Sequence, residues 1–595
     1  MKQTRSLILR LACLISICLS ADPLAASTVA QSQVPPNIPR DGDRIENPII
    51  IPPRPQPLPS PPPPTPDPLP PPAELLQPTP PTPTTPQEEV PSNVPGNITV
   101  ERFEFEGNTA FSDQQLAEVT KQFTGRTLTF GELLQARSAV TDLYTRNGYI
   151  TSGAFIPPQT LTSGVVRIQV VEGTIEEIQV TGTGRLNRNY VQERIALGTK
   201  TPLNVNRLLE ALQLLQLNPL ISNLSAELSA GSRPGLSVLA VRVTPADTFD
   251  AQITLDNGRS PSVGSFRRGV QLTEANLLGQ GDSINVSYAN TDGSNEVDLS
   301  YTFPVNARNG TVRFSYGYTK SHIIEPPFDQ VDIEATSVDY DLTFRQPIIQ
   351  SPTQELALGL SAVRRESETS LLNTPFPLSP GASDDGRTRI TALRFFQEWT
   401  QRGSRQVFAA RSQFSFGLGL FDATTSDDSP DSRFLAWRGQ AQYLQLLGSP
   451  NRESNASPLL LLRADVQLAD RSLLALEQFG TGGYSSVRGY RQDALLTDNG
   501  ALASAEVRFP IYRLPSVEGV LQVIPFVDLG RAWNSSGKQN PDPSNLASVG
   551  LGVQWQQSDR LQARLDYGIP LIEVQSSDRT LQERGLYFFL QYNFF

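Results

Sequence analysis

A chain of 595 residues is too long for one hydrophobic core, so we expect at least two domains. Its 49 basic and 60 acidic residues give a formal charge of −11, which argues against a nucleic-acid-binding protein. Hydrophobic residues make up 38% of the chain, but no run of about 20 apolar residues follows the N-terminal segment. This argues against a helical membrane protein, whereas a transmembrane β-barrel, whose strands alternate apolar and polar residues, is compatible with it.

The first 30 residues predict an export signal. Three basic residues within the first ten precede a short apolar run at Leu11–Leu19, and small residues at 21–30 offer cleavage sites. The alternative, a membrane anchor, requires a longer apolar run. We therefore expect the mature chain to lie beyond the inner membrane.

Cysteine and histidine are nearly absent from the expected mature chain. Both cysteines, Cys13 and Cys18, lie in the predicted signal, and His322 is the single histidine. Disulfides, thiolate metal sites and cysteine nucleophiles are thereby excluded. We expect His322 to be a surface or loop residue, since no nucleophile-elbow motif accompanies it. The sequence thus predicts no catalytic residue, no cofactor and no metal site.

Residues 31–96 hold half of the chain's 50 prolines. Because proline donates no backbone hydrogen bond and favours an extended polyproline form, we expect a disordered linker. A ligand for a proline-recognition domain is the alternative. Only Ala73–Gln77 hints at a short turn, so the sequence does not predict a plug helix.

Residues 97–173 have the pattern of a compact α/β domain. Ser112-Asp113-Gln114-Gln115 predicts a capping box that opens a helix, and Asn147-Gly148 predicts the end of a second one. In chain order we expect a strand at Ile98–Phe105, a helix from Ser112, a helix containing Leu133, Ala136, Val140 and Tyr144, and strands at Tyr149–Ile156 and Val165–Val171.

Residues 174–245 repeat this order of elements. The expected elements are a strand at Ile175–Val180, helices at Tyr190–Leu197 and Val205–Leu217, and strands at Leu224–Leu228 and Leu236–Val243. The match lies in the order of elements more than in the identity of residues.

Residues 246–595 read as an all-β region of sixteen antiparallel strands separated by Gly, Asn, Asp, Ser and Pro. Tight connections such as Leu278–Asp282 alternate with long polar ones such as 373–388 and 424–431. Short turns at one rim and long loops at the other favour a transmembrane barrel over a soluble propeller or paired sandwiches. The expected strands begin near Phe249, Phe266, Asp282, Glu296, Gly310, Asp332, Thr353, Arg389, Gln406, Phe434, Leu459, Ala501, Gly519, Ala547, Leu561 and Gly585.

The C-terminal strand carries the strongest alternation. One face is wholly apolar, while the other carries Gln591 and Asn593, as expected for a strand between lipid and a lumen. The terminal Phe595 resembles the signal that barrel proteins present to their assembly machinery, although Asn593 stands where an apolar residue is usual. The apolar face consists of Leu586, Phe588, Leu590, Tyr592 and Phe594.

Three short stretches in residues 97–173 resemble a polypeptide-transport-associated (POTRA) domain. They are Phe103–Asn108, Gly148-Tyr149 and Val170-Val171-Glu172-Gly173. The resemblance implies a periplasmic receptor module that can capture an extended chain along a strand edge. The alternative is that the two domains are spacers.

The most specific motif is Val487-Arg488-Gly489-Tyr490. It resembles the tip of the loop that folds back into the lumen in two-partner secretion transporters and their barrel-assembly relatives, which here implies an inward loop at 471–499. A phosphate-binding loop is the alternative for this glycine-rich stretch, but it lacks the Walker lysine. Phe526-Val527-Asp528-Leu529-Gly530 resembles the companion motif of that family, on the thirteenth strand.

Side-chain chemistry suggests how the two motifs act together. Alternation points Phe526, Asp528 and Gly530 inward, so the fork of Arg488 can bind Asp528 bidentately, which a lysine cannot do. We expect Gly489 to permit a sharp backbone and Tyr490 to pack on the wall with its hydroxyl in water. Two hypotheses remain for the Arg488–Asp528 pair: a latch that holds the loop during rest, or a static salt bridge that aids folding.

Together the features resemble TpsB-type transporters of the ShlB/FhaC/HecB kind, across residues 97–595. The resemblance implies POTRA repeats of α+β type in the periplasm, followed by an outer-membrane barrel in a Gram-negative-type envelope. It also implies a secreted exoprotein as partner, large and β-helical, and insertion by the barrel-assembly machinery into outer-membrane lipid. A barrel-assembly factor of the same superfamily is the first alternative, and a passive porin the second.

Overall fold

The computed structural model describes the backbone of residues 76–78 and, in full, residues 97–159, 164–426, 430–448, 457–535, 537–574 and 580–595. The predicted export signal and most of the proline-rich segment lie outside these residues. Within the described part of the chain, no helix is both long and apolar enough to cross a membrane. The one described piece of the proline-rich segment is strand β1 (Leu76–Pro78).

Domain 1, residues 97–173, packs two helices against a small sheet. Both helices begin at the capping boxes of Ser112 with Gln115 and of Thr129 with Glu132. A three-stranded sheet runs in the order β3–β6–β5, and β2 pairs with β4. The elements are β2 (Ile98–Val100), β3 (Arg102–Glu106), α1 (Asp113–Thr120), β4 (Arg126–Leu128), α2 (Phe130–Arg146), β5 (Gly153–Phe155) and β6 (Val165–Val171).

The core of domain 1 follows from the spacing of its apolar residues. Buried positions of α2 recur every three or four residues, and those of β6 alternate, so both elements turn one apolar face inward. The single predicted strand at Ile98–Phe105 is wrong in one respect, since a bend at Glu101 divides it into β2 and β3. The residues that meet are Leu133, Ala136, Val140 and Tyr144 of α2 and Val166, Ile168 and Val170 of β6.

Domain 2, residues 174–245, repeats the topology of domain 1. In domain 1 the first strand of the sheet pairs parallel with the last, and in domain 2 β7 pairs parallel with β9. The remaining strand pairs antiparallel with the last in both domains. The elements are β7 (Thr174–Thr181), α3 (Arg188–Ala196), α4 (Val205–Gln216), β8 (Ile221–Ala230) and β9 (Leu236–Pro245).

Strand β1 extends the sheet of domain 2. It pairs parallel with β8, with Leu76 opposite Ala226 and Pro78 opposite Leu228. The sequence predicts a disordered linker here, with at most a short turn, so this pairing corrects the prediction. Without β1, β8 would be the edge of its sheet, and an unpaired edge offers hydrogen bonds to any extended segment within reach.

Residues 246–595 form a closed antiparallel barrel of sixteen spanning strands, in which β28 pairs with β10. Every strand begins within two residues of its predicted start. The strands are β10 (Phe249–Asp256), β11 (Arg267–Ala275), β12 (Ser283–Asn290), β13 (Ser294–Pro304), β14 (Thr311–His322), β15 (Ile333–Gln350), β16 (Gln354–Leu371), β18 (Arg387–Arg402), β19 (Gln406–Leu418), β20 (Leu435–Leu446), β21 (Leu459–Ala469), β24 (Asn499–Leu514), β25 (Gly519–Trp533), β26 (Asn545–Gln557), β27 (Leu561–Pro570) and β28 (Leu586–Asn593). Three short strands lie in connections: β17 (Thr374–Pro375), β22 (Phe479–Thr481) and β23 (Leu495–Thr497).

The two rims of the barrel differ, with one exception at each. Connections at the end that carries domain 2, the domain end, are mostly tight, and the long ones lie at the far end. Residues 447–458 form a long connection at the domain end, and residues 291–293 form a tight one at the far end. Strands β15 and β16 have 18 residues each, more than the roughly 9–11 needed to cross a bilayer.

Strand β25 shows why this region closes into a barrel. Val527 and Leu529 are exposed on the outside, while Phe526 and Asp528 are buried on the inside. A strand with one apolar and one polar face is stable only between an apolar and a polar environment. The same alternation along sixteen strands encloses a polar lumen.

Candidate functional site

The connection between β21 and β24 folds into the lumen. This inward loop, residues 470–498, starts and ends one residue before the predicted span of 471–499. Its strands β22 and β23 pair antiparallel. Its tip, Val487–Tyr490, packs against the wall, where Val487 and Tyr490 join a buried apolar cluster with Ala532 of β25 and Leu546 of β26.

At the loop tip, Arg488 binds Asp528 of β25 in a bidentate pair. Its Nε donates to Oδ2 at 2.8 Å and its Nη2 donates to Oδ1 at 2.9 Å. The backbone N–H of Arg488 donates to the same Oδ2 at 3.1 Å. Both side chains are buried, and this geometry uses the planar fork that distinguishes arginine from lysine.

The other members of the companion motif also meet the loop. The guanidinium of Arg488 lies over the ring of Phe526, which adds a cation–π contact. Gly530 makes room for the loop, since a Cβ there would lie 2.7 Å from Cγ2 of Thr481 and 2.8 Å from Cγ2 of Val487. Alternate residues of one strand therefore hold the charge, the face and the approach of the tip.

Sequence reasoning missed a ring of charges that completes the site. Arg488 also donates to Glu506 at 3.1 Å and to Asp566 at 3.2 Å. Arg564 and Arg508 in turn bind Glu506. Three carboxylates thus face three arginines, which balances the buried charge. The signal was present, because Glu506-Val-Arg508 and Arg564-Leu-Asp566 place charges two apart on strands of a membrane barrel, which marks the lumen face.

Backbone contacts fix the tip further. Gly489 has a φ of 98°, which favours glycine, and its N–H donates to the hydroxyl of Tyr587 at 2.9 Å. The hydroxyl of Tyr490 does not stay in water as the sequence analysis expects. It donates to the carbonyls of Ala547 at 2.8 Å and Ile572 at 2.9 Å, because the wall leaves those carbonyls unpaired next to it.

The residue after the tip motif reaches the far-end rim. Arg491 makes two hydrogen bonds to Glu325, at 2.8 and 3.1 Å, in the connection between β14 and β15. It also lies 3.5 Å from Glu583 in the connection before β28. The N–H of Gln492 donates to the side chain of Gln582 at 2.8 Å. The loop is thus tied to two external connections as well as to the wall.

The C-terminal strand closes the barrel beside the first strand. Tyr592 and Phe594 are exposed on the outside, and Phe589 stacks inside on Tyr484 of the inward loop. Phe595 is exposed, and its ring lies 5.5 Å from that of Phe249 at the domain end. The strand therefore serves the lumen and the lipid face at once.

Outside the barrel, Glu172 organises domain 1. Its carboxylate accepts hydrogen bonds from the N–H groups of Thr109 and Ala110, at 2.6 and 2.7 Å, and from the hydroxyl of Tyr144 at 2.7 Å. Burial alone would raise the pKa of Glu172, but these donors outweigh it and hold the pKa below its ordinary value. Burial and the bond to Glu172 raise the pKa of Tyr144.

The histidine lies at the far-end rim. His322, Asp332 and Glu334 bring three potential ligand atoms within 4.8 Å of one another. Nδ1 of His322 lies 3.4 Å from Asp332, and Lys320 lies 3.2 Å from Glu334, so both carboxylates have a basic neighbour. The cluster is about 40% exposed and reads as a set of rim ion pairs, to which we assign no metal.

Two family models match the chain. The haemolysin secretion/activation protein ShlB/FhaC/HecB model matches residues 235–555, which is more than half of the chain. The ShlB-type POTRA domain model matches residues 98–173. The first match spans the barrel with both loop motifs, and the second spans domain 1.

Known proteins resemble the chain over most of its length. The outer membrane transporter CdiB of Escherichia coli O6:K15:H31 is 25% identical over 517 residues, covering 84% of this chain and 83% of that protein. The heme/hemopexin transporter protein HuxB of Haemophilus influenzae strain 86-028NP is 21% identical, covering 77% and 80%. The solved structure of CdiB from Escherichia coli has a TM-score of 0.64 at 22% identity, covering 86% of this chain and 93% of that one.

These findings fix location and general role. The sixteen-stranded barrel lies in the outer membrane, and the POTRA region lies in the periplasm, so the domain end is periplasmic and the far end extracellular. The relatives are transporters of the two-partner secretion type, which act with secreted exoproteins. The chain belongs to the haemolysin secretion/activation family of ShlB, FhaC and HecB.

Proposed function

We propose that this chain recognises an unfolded partner exoprotein in the periplasm through its POTRA domains and secretes it through the barrel lumen. The observation that carries the proposal is the inward loop, buried at its tip and bound by Arg488 to Asp528 inside a barrel fed by two receptor-like domains. A passive porin needs neither feature. The cargo that fits the family is large and β-helical.

The free strand edge of domain 1 supports a role in recognition. Among the described strands, β5 pairs with β6 on one side only, whereas the edge of β8 in domain 2 is paired with β1. Next to this free edge, Ile150 and Phe155 are each 44% exposed. An extended apolar segment of cargo could add to β5 as a further strand and cover both side chains.

The loop site supports a latch. Removing Arg488 would leave three buried carboxylates short of one partner, a change that costs about 3–5 kcal/mol when a buried ion pair is broken. Such a strong contact holds the loop in the lumen at rest, and cargo entry supplies the binding energy that displaces it. We infer that folding of the cargo outside the cell drives transport.

Deletion of this chain tests the proposed function. We expect an exoprotein encoded beside it to disappear from the medium and to accumulate in, or be degraded in, the periplasm. A barrel-assembly factor would instead lower the level of many outer-membrane barrels, so quantitative proteomics of the outer membrane separates the two. Normal export together with a general loss of barrels would contradict the proposal.

Substitutions at the loop test the latch. Arg488→Ala and Asp528→Ala are expected to reduce secretion while the barrel still reaches the outer membrane, measured by heat-modifiable mobility in gels. Arg471→Ala is the matched control, since this exposed arginine of the same loop pairs only with its neighbour Asp470. Full secretion by well-folded Arg488 and Asp528 variants would rule out the latch and leave a static role in folding.

A terminal substitution tests assembly. We propose that Phe595 is read by the barrel-assembly machinery, because it is exposed at the periplasmic end of the last strand. Phe595→Ser should lower the amount of assembled barrel, whereas Phe421→Ser, at an exposed extracellular position, should leave it unchanged. Equal amounts of both variants would contradict this role.

A further inference from the structure

A cleft of about 320 Å³ lies where domain 2 meets the periplasmic turns of the barrel. One wall is formed by the end of α3, the following loop and α4, and the other by the turn after β13 and the end of β15. Arg194 bridges the walls, donating to Asn309 at 2.9 Å. The cleft thus belongs to neither part alone.

The lining of the cleft is basic. Four cationic side chains, at Arg194, Lys200, Arg207 and Arg308, face one carboxylate, Glu210. Arg194 packs on the ring of Tyr190, and Arg207 donates to the carbonyl of Pro202 at 2.9 Å. No hydrogen bond or ion pair of the Lys200 and Arg308 side chains is found among the residues that the structure describes, and both are exposed. An anion is the ligand that this charge favours.

An apolar stripe leads from the cleft to the lipid-facing wall. On the outside of β15, Leu342 and Phe344 are exposed, and Ile348, which lines the cleft, is 54% exposed. Leu197 adds an exposed apolar side chain on the domain 2 side. A ligand with a negative head and apolar tails could place its head between the two free cations and its tails along this stripe.

We propose that the cleft binds an anionic phospholipid of the periplasmic leaflet, with its phosphate between Lys200 and Arg308. The position at the membrane edge favours a lipid over a soluble anion, because the apolar stripe would otherwise face water beside the cations. An acidic peptide would use the cations but not the stripe. The bound lipid joins domain 2 to the barrel turn and so braces the receptor domains against the membrane.

Native mass spectrometry of the purified full-length chain tests the proposal. The probes are dioctanoyl phosphatidylglycerol, dioctanoyl phosphatidylcholine, inorganic phosphate and an acidic heptapeptide. We expect the glycerol lipid to bind about tenfold tighter than the choline lipid, and its binding to weaken as salt is raised. Phosphate and the peptide should not compete at the same concentration.

The double variant Lys200→Gln/Arg308→Gln should lose about tenfold of the affinity for phosphatidylglycerol. The control Lys121→Gln/Arg233→Gln removes the same charge from exposed positions outside the cleft and should bind like the parent. Unchanged binding by the cleft variant would overturn the proposal. So would displacement of the lipid by phosphate, which indicates an anion site without lipid specificity, or by the peptide, which indicates a cargo-binding site.

Discussion

Arg488 lies over the ring of Phe526, with its guanidinium carbon 3.5 Å from the ring centroid, while it binds Asp528 two residues further along the same strand. One side chain is therefore held from its edge by a carboxylate and from its face by an aromatic ring. The two contacts require residues of equal orientation on one strand, which the period of two provides. This explains why the companion motif needs an aromatic residue as well as an aspartate.

Phe526→Leu should weaken the loop contact without removing the ion pair. Leucine keeps most of the apolar volume but has no ring quadrupole, so about 1–2 kcal/mol of cation–π stabilisation is lost. We expect the inward loop to leave the lumen more often. In planar lipid bilayers, channel openings should become more frequent or larger.

Val527→Leu is the control for this change. Its side chain faces outward on the same strand, so lumen contacts remain intact. Bilayer recordings that are the same for Phe526→Leu and the parent, at equal barrel assembly, would mean that the ring contributes no hold on the loop.

Gly530→Ala should push the loop from the wall. Its new Cβ would lie within 2.8 Å of methyl groups of Thr481 and Val487, closer than atoms pack in proteins, and overpacking costs about 1–3 kcal/mol. Released from the wall, the loop should become cleavable by trypsin after Arg491, yielding two defined fragments. Gly269→Ala is the matched barrel control, because a Cβ there meets only ordinary contacts from 3.7 Å. Equal resistance of both variants to trypsin would contradict the close-approach role of Gly530.

Most of the barrel could be predicted from sequence, because alternation is a local signal and turn residues mark the ends of strands. The POTRA-like domains were predictable in order but not in detail. Glu101 bends the first strand into two, and Arg126–Leu128 pairs with β2 as a strand too short for a period to be seen. The pairing of Leu76–Pro78 depends on a distant free edge, which no local pattern encodes.

For the site, the motifs identified Arg488 and Asp528 as partners, and the remainder depended on closure of the barrel. Arg564 lies 76 residues from Arg488 in sequence, and only the register of β24 to β27 brings Glu506 and Asp566 between them. Tyr490 differed from expectation for the same reason. Its hydroxyl meets two backbone carbonyls whose positions follow from how β26 and β27 end.

A crosslink at the rim should show whether the loop must move. Arg491 and Glu325 are joined by two hydrogen bonds, and the mature chain is predicted to lack cysteine, so cysteines at both positions provide a unique pair. A short bis-maleimide should link Arg491→Cys to Glu325→Cys and stop secretion. Each single cysteine variant, treated alike, should export normally. Undiminished export by the crosslinked chain would mean that cargo passes with the loop in place.

Acid should loosen domain 1 through Glu172. Because its folded pKa lies below the ordinary value, its stabilising bonds are fully present above the unfolded pKa of about 4.3 and are lost as the pH falls through the folded pKa. Glu172→Gln removes the charged acceptor and should cost about 2 kcal/mol at pH 7. Between pH 7 and about pH 5 the parent should keep a constant advantage, which then declines.

Hydrogen exchange of β6 amides in the full-length chain, corrected for intrinsic rates, measures this advantage. Parent and Glu172→Gln should differ at pH 7 and converge near pH 3, because the protonated carboxyl has lost its charge-assisted bonds. Glu104→Gln is the control, since its exposed carboxylate binds only Arg102 on the same strand and contributes little. A difference that persists unchanged at pH 3 would assign the effect of the substitution to packing, and the predicted role of the Glu172 charge would then be wrong.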